Sequence, residues 1–119
     1  MRYMLLIHQG DTPTPRSPEA WAKLSEDEQQ AVFADYQAIN QTPGVTPGVG
    51  LDAPETATTV RVKDGRTLTT DGPFVEIKEA IGGYLLFEAN DLDAAIELAA
   101  RIPAARLGGA VEVRPLVEW

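Results

Sequence analysis

Thr70-Asp71-Gly72-Pro73-Phe74-Val75-Glu76-Ile77-Lys78-Glu79-Ala80-Ile81-Gly82-Gly83-Tyr84 divides a chain of 119 residues. Just before it lie two strand-like runs, residues 58–63 and 66–70, joined by Asp64-Gly65. That dipeptide accepts the left-handed backbone of a two-residue hairpin turn and sets the register, Val62 opposite Thr67 and Val60 opposite Thr69. Within the stretch, Pro73 keeps Gly72 out of helical angles. The Asp71 carboxylate can accept from the backbone just ahead of it, and Phe74 reads as an anchor. After it the chain reads strand (residues 83–88), helix (92–102) and strand (110–117).

The region before the hairpin reads as a first strand–helix–strand unit. Residues 2–8 form an almost wholly apolar strand, and Gly10-Asp11-Thr12-Pro13 breaks it. Ser17-Pro18-Glu19 looks like a helix start with Ser17 as cap, burying Trp21 and Leu24. Ser25-Glu26-Asp27-Glu28 is a capping-box pattern. The main helix then runs to Asn40, with Val32, Phe33, Tyr36 and Ile39 on one face, and Thr42-Pro43-Gly44 stops it. Residues 45–51 contain Pro47, Gly48 and Gly50 and make at most a short edge strand. In the second unit Asn90 or Asp91 caps the helix. Leu92, Ala95, Ile96 and Ala99 form its stripe, and Pro103 ends it.

Apart from the hairpin, this order is the split βαβ, ferredoxin-like pattern of the α+β class. It predicts an antiparallel sheet with two main helices on one face. With no linker or repeat, residues 1–119 read as a single domain.

Strand alternation separates the two sheet faces. Tyr3, Leu5, Ile7, Leu85, Phe87, Val111, Val113 and Val117 form an apolar set that belongs under the helices. The opposite set is Arg2, Met4, Leu6, His8, Tyr84, Leu86, Glu88, Glu112, Arg114 and Leu116. Met4, Leu6, Tyr84 and Leu86 would leave a large exposed patch on a monomer. The expectation is a homodimer joined through this face, its charged members lining a cleft or the rim.

The chain carries 18 acids and 10 bases, a net charge of −8. That argues against nucleic acid and against an anionic membrane surface. No cysteine is present, which removes disulfides, thiolate nucleophiles and cysteine–zinc sites. The apolar start is too short for a signal core or a membrane span, so the expected location is cytoplasmic. With one histidine, no transition-metal site is expected. Neither Gly82-Gly83 nor Gly108-Gly109 has the setting of a phosphate loop. No cofactor is implied.

The candidate site residues follow from chemistry and parity. His8, the sole histidine, ends the first strand and is a candidate general acid or base, since imidazole titrates near neutrality. A solvent-facing strand end is the plain alternative. Asp71 is the second catalytic candidate, as acid/base or acceptor, against a purely structural role in its turn. Tyr84, Lys78, Glu76, Arg114 and Glu88 are candidate substrate-binding residues. Tyr84, Glu88 and Arg114 share the face of His8, and Lys78 and Arg114 could neutralise an anionic group. For Glu76, Lys78 and Glu79 the plain alternative is a short solvated helical turn.

Thr70-Asp71-Gly72-Pro73-Phe74, with Glu76, Lys78-Glu79 and Gly82-Gly83-Tyr84, resembles the DGPF signature of the YCII-related proteins. Further matching runs are Met1-Arg2-Tyr3-Met4-Leu5-Leu6-Ile7, Ala57-Thr58-Thr59-Val60-Arg61, Asp91-Leu92-Asp93-Ala94-Ala95 and Val111-Glu112-Val113-Arg114-Pro115. The resemblance implies a dimeric α/β barrel. It implies little about activity. Some relatives are fused to or encoded with sigma factors of the extracytoplasmic-function class. The wider group has a histidine–aspartate pair whose histidine lies in the first helix. No histidine lies between Ser25 and Asn40, so that pair has no match, and His8 does not inherit the role. Residues 42–50 are also richer in proline and glycine than the strand implied there. Two functions follow as expectations. One is a protein that binds, and in its catalytic form transforms, a small organic molecule in a cleft near the DGPF turn and the dimer interface. The alternative is a non-catalytic binding or regulatory module that acts with sigma-factor-type transcription regulation.

Overall fold

The central strand β1 (Arg2–His8) alternates as its sequence demands: Tyr3, Leu5 and Ile7 are buried while Met4, Leu6 and His8 are only partly covered. The computed structural model describes residues 1–72 and 81–118. Along the chain follow α1 (Pro18–Ala22), α2 (Glu26–Asn40), β2 (Val45–Gly50), β3 (Thr58–Lys63), β4 (Arg66–Asp71), β5 (Ile81–Glu88), α3 (Leu92–Ala100) and β6 (Ala110–Pro115). Short 3-10 turns at Pro54–Thr56 and Pro103–Ala105 complete the set. Four strands pair in the order β2-β5-β1-β6, every pair antiparallel. The described residues form an α+β arrangement with three helices and an antiparallel sheet, consistent with a ferredoxin-like fold.

The helices form where capping chemistry starts them. At α2 the Ser25 hydroxyl accepts from the Glu28 N–H at 3.1 Å, and the Glu28 carboxylate accepts from the Ser25 N–H at 3.3 Å. Two of the free donors of the first turn are thus satisfied reciprocally. Asp91 caps α3 by accepting from the Ala94 N–H at 2.8 Å. Ile39 from α2 and Ala95, Leu98 and Ala99 from α3 join Tyr3, Leu5, Ile7, Leu85 and Phe87 in one core. Both helices therefore cover the same sheet face, with Val111 and Val113 packed at its side.

Several expectations need correction. Ser17 does not cap α1; its hydroxyl accepts from the Thr14 N–H at 3.0 Å and donates to the Thr14 carbonyl at 2.9 Å, closing the preceding turn. Phe33 is exposed, because α2 points Val32 and Ile39 inward. Phe33 instead packs edge-on against Trp21, with ring centroids 5.5 Å apart. Leu92 and Ile96 are also exposed, because α3 turns Ala95, Leu98 and Ala99 to the sheet. Val117 is outside the core: β6 stops at Pro115, and past the bond from the Leu116 N–H to the Arg2 carbonyl the chain runs on exposed.

Among the described residues β3 and β4 pair only with each other, in a separate two-stranded sheet. Val62 stands opposite Thr67 and Val60 opposite Thr69, the register that Asp64-Gly65 predicts. Both turn residues have positive φ, 52° at Asp64 and 74° at Gly65. The root is closed by the Gly72 N–H donating to the Ala57 carbonyl and by the Thr59 hydroxyl donating to the Gly72 carbonyl, both at 2.7 Å. Beyond that root, residues 60–71 are all exposed.

Candidate functional site

The sheet face away from the helices is a small grid fixed by strand register. Leu86, Met4 and Arg114 form one row across β5, β1 and β6, and Tyr84, Leu6 and Glu112 form the next. His8 follows in a third row between Ile81 and Ala110. The centre of this face is apolar and its β6 side is ionic.

Three ionisable side chains meet on that ionic side. His8 Nε2 lies 3.1 Å from Glu112 Oε1, and Arg114 Nε lies 2.8 Å from Glu112 Oε2. Alternation places Glu112 and Arg114 on one face of β6, and antiparallel pairing with β1 sets His8 beside them. Each carboxylate oxygen therefore has its own partner. A carboxylate accepting at Nε2 fixes the ring so that Nε2 carries the hydrogen and Nδ1 the lone pair in the neutral form. The His8 side chain is 19% exposed, whereas Glu112 is 43% exposed. A carboxylate-oriented, half-sheltered imidazole is equipped to take or give a proton.

The other candidates lie elsewhere. Tyr84 is in the row of Leu6 and Glu112 on the same face. Glu88 shares the face but stands opposite Arg2 at the other end of β1, roughly 20 Å from His8 at the usual strand rise. There it pairs with the terminal ammonium at 3.5 Å and with Arg2 at 3.9 Å. Asp71 closes β4 opposite Thr58, in a different sheet from His8. Phe74, Glu76, Lys78 and Glu79 lie outside the described residues. Among the described residues no cluster of three or more His, Asp or Glu is arranged to hold a metal ion. No helix among them is long and apolar enough to cross a membrane.

A hollow of about 180 Å³ lies at the same end of the sheet but on the helix side. Gly83 on β5 faces Ile7 of β1 and Gly50 of β2. Among the described residues the strands therefore offer glycine backbone beneath Tyr36 and Asn40 of α2, and Gln9 also lines the space. Burial raises the Tyr36 phenol above its usual pKa, with the Arg106 guanidinium opposing in part, so the hydroxyl stays protonated. Gln9, Tyr36 and Asn40 are absent from the sequence-based candidates. The signal for them is the glycines: Gly50 and Gly83 occupy inward strand positions where the neighbouring parity carries large apolar residues.

An uncharacterised protein, R00369, of Rhizobium meliloti (strain 1021) is 31% identical over 121 residues, spanning 98% of this chain and 92% of that protein. The YCII-related domain model matches residues 1–119, and the chain belongs to that family.

Proposed function

We propose that the protein is a homodimer of the α/β-barrel type, with the β3–β4 pair as a hairpin inserted in a ferredoxin-like frame. Its copies meet through the open sheet face, and a small organic molecule binds in the cleft at the His8 end. The observation that supports this reading is Glu112 bridging His8 and Arg114 beside a partly exposed apolar patch. In it His8 carries the proton, Glu112 orients the ring, and Arg114 balances the charge of Glu112 and of an anionic group. Tyr84 supplies a hydroxyl from the adjacent row. Asp71, at the root of the hairpin, serves as an acceptor.

The test is a thermal-shift screen against metabolites, followed by calorimetry on each hit. A ligand present at 100 times its Kd adds about 2.7 kcal/mol to the folded state. That raises Tm by several degrees in a domain of this size. Binding should weaken about tenfold or more in His8→Ala and in Glu112→Gln. A metabolite that binds both variants as well as the parent protein overturns this site, and a screen with no hit overturns ligand binding altogether.

The second reading, a non-catalytic module for a protein partner, draws on Leu92 and Ile96. They lie one turn apart on the outer side of α3, 50% and 51% exposed. Replacing both with Lys should abolish capture of a transcription factor without shifting any ligand-induced Tm.

A further inference from the structure

The hollow under α2 has a chemical bias that the His8 side of the sheet does not share. Its described polar residues are Tyr36, Tyr84, Gln9 and Asn40, whose hydroxyls and carboxamides can all donate hydrogen bonds. No described residue lining it is acidic, in a chain that carries 18 acids. Ile7 and the bare backbones of Gly50 and Gly83 supply an apolar floor.

An arginine stands beyond Gly50, at the edge of the hollow and outside its lining. The three atoms nearest to a Cβ built on Gly50 all belong to the Arg16 guanidinium, the closest at 3.4 Å. Arg16 donates to the Leu51 carbonyl, which holds it there, and among the described residues it has no acid partner. By contrast Arg2, Arg106 and Arg114 each pair with a carboxylate. A cation beside an acid-free, donor-lined hollow is matched by an anion with two acceptor oxygens, the partner that guanidinium binds as a fork. The space holds on the order of six waters, which limits the guest to a small molecule.

We infer that this hollow binds a small organic monocarboxylate, with its carboxylate at Arg16 and its uncharged body over Gly83 beneath Tyr36 and Asn40. Tyr84 borders both sites, but neither His8 nor Glu112 lines this hollow, so variants of that pair test the two sites separately.

The test uses the full chain, uniformly labelled with nitrogen-15. Amide spectra are recorded during titration with butyrate, valerate and benzoate, and with benzamide as an uncharged match for benzoate. At least one carboxylate should shift Gly50, Gly83 and the side-chain amides of Gln9 and Asn40 at millimolar concentration. Benzamide should bind about tenfold more weakly than benzoate if benzoate is the carboxylate that binds. Arg16→Gln should weaken the carboxylate about tenfold and leave the rest of the spectrum intact. Gly50→Val, which places side-chain atoms against the Arg16 guanidinium at the edge of the hollow, should abolish the shifts. If no carboxylate shifts these residues, the inference is overturned. It is equally overturned if Arg16→Gln binds as well as the parent, if benzamide matches benzoate, or if shifts in an intact Gly50→Val spectrum persist unchanged.

Discussion

Tyr36 shows how one half-buried side chain ties stability to pH. Its folded-state pKa is raised because burial disfavours the phenolate, and the cation Arg106 offsets only part of that. Between the unfolded value near 10 and the higher folded value, the folded chain holds a proton that the unfolded chain releases. Stability from this group is therefore complete below pH ~10 and is lost as pH rises through the folded pKa. Tm should fall more steeply between about pH 9 and 11 in the parent than in Tyr36→Phe, which has no phenol to ionise. Equal slopes in the two proteins would show that Tyr36 is not sheltered. His8 makes a different residue-scale point. Its partner Glu112 follows from strand parity once β1 and β6 are neighbours, and parity is visible in sequence. Gln9 and Asn40 are not readable this way. They come together only because α2 crosses over the end of β5, and no local pattern encodes that crossing.

Among the elements, the turn from α2 into β2 depends most on one residue. Thr42 ends the helix by donating from its hydroxyl to the Ala38 carbonyl at 2.8 Å, and Gly44 then turns the chain with φ +90°. The Gly44 carbonyl accepts from the Glu88 N–H at 2.8 Å, which starts the β2–β5 ladder. A Cβ at this position would lie 2.6 Å from the Glu88 carbonyl oxygen, against backbone rather than a yielding side chain. Gly44→Ala combines a left-handed backbone with that clash. It should cost about 2–4 kcal/mol, read as a lower urea midpoint with an unchanged slope. Gly65→Ala has positive φ but nothing within 4 Å of the new Cβ, and should cost only about 1 kcal/mol. Comparable losses in the two variants would mean that the close approach at Gly44 carries no weight. Elements also show why sequence stops short of packing. The caps of α2 and α3 and the Asp64-Gly65 turn are local chemistry, so their positions and the hairpin register follow from the residues themselves. The inward phase of α3 does not. Leu92, Ala94, Ala95, Ile96, Leu98 and Ala99 make the helix apolar on most sides. Its orientation is then decided by the alanines, which allow close approach to the sheet and leave Leu92 and Ile96 outside. Phe33 is similar: a large apolar side chain at helical spacing reads as core, yet Trp21 of α1 holds it at the surface.

The whole molecule is more open than its length requires. A compact chain of this size has a radius of gyration of roughly 13–14 Å, whereas this one measures 16.2 Å with extents of 51 × 42 × 18 Å. The excess goes with surfaces that lack cover in a single copy. One is the open sheet face with Met4, Leu6, Tyr84 and Leu86. The other is the β3–β4 pair, where Val60, Val62 and Leu68 are 58%, 70% and 47% exposed. A two-stranded pair is at best marginally stable alone in water, and an apolar sheet centre ringed by charges has the form of an interface core with a polar rim. A second copy supplies the cover in the proposed dimer. Light scattering on the eluting protein should then give twice the chain mass of 12.9 kDa. Leu6 lies in the middle row between Tyr84 and Glu112, so Leu6→Asp would bury an unpaired carboxylate at the contact and repel Glu112. Dimer affinity should fall by at least about 3 kcal/mol, a hundredfold or more, with the far-ultraviolet circular dichroism of the parent retained. Gln30→Glu, a similar charge change at an exposed position of α2 on the other side of the sheet, controls for net charge and should leave the mass unchanged. A parent protein that elutes at 12.9 kDa across the accessible concentration range would remove the open-face dimer, and with it the proposed cleft that the second copy builds over His8.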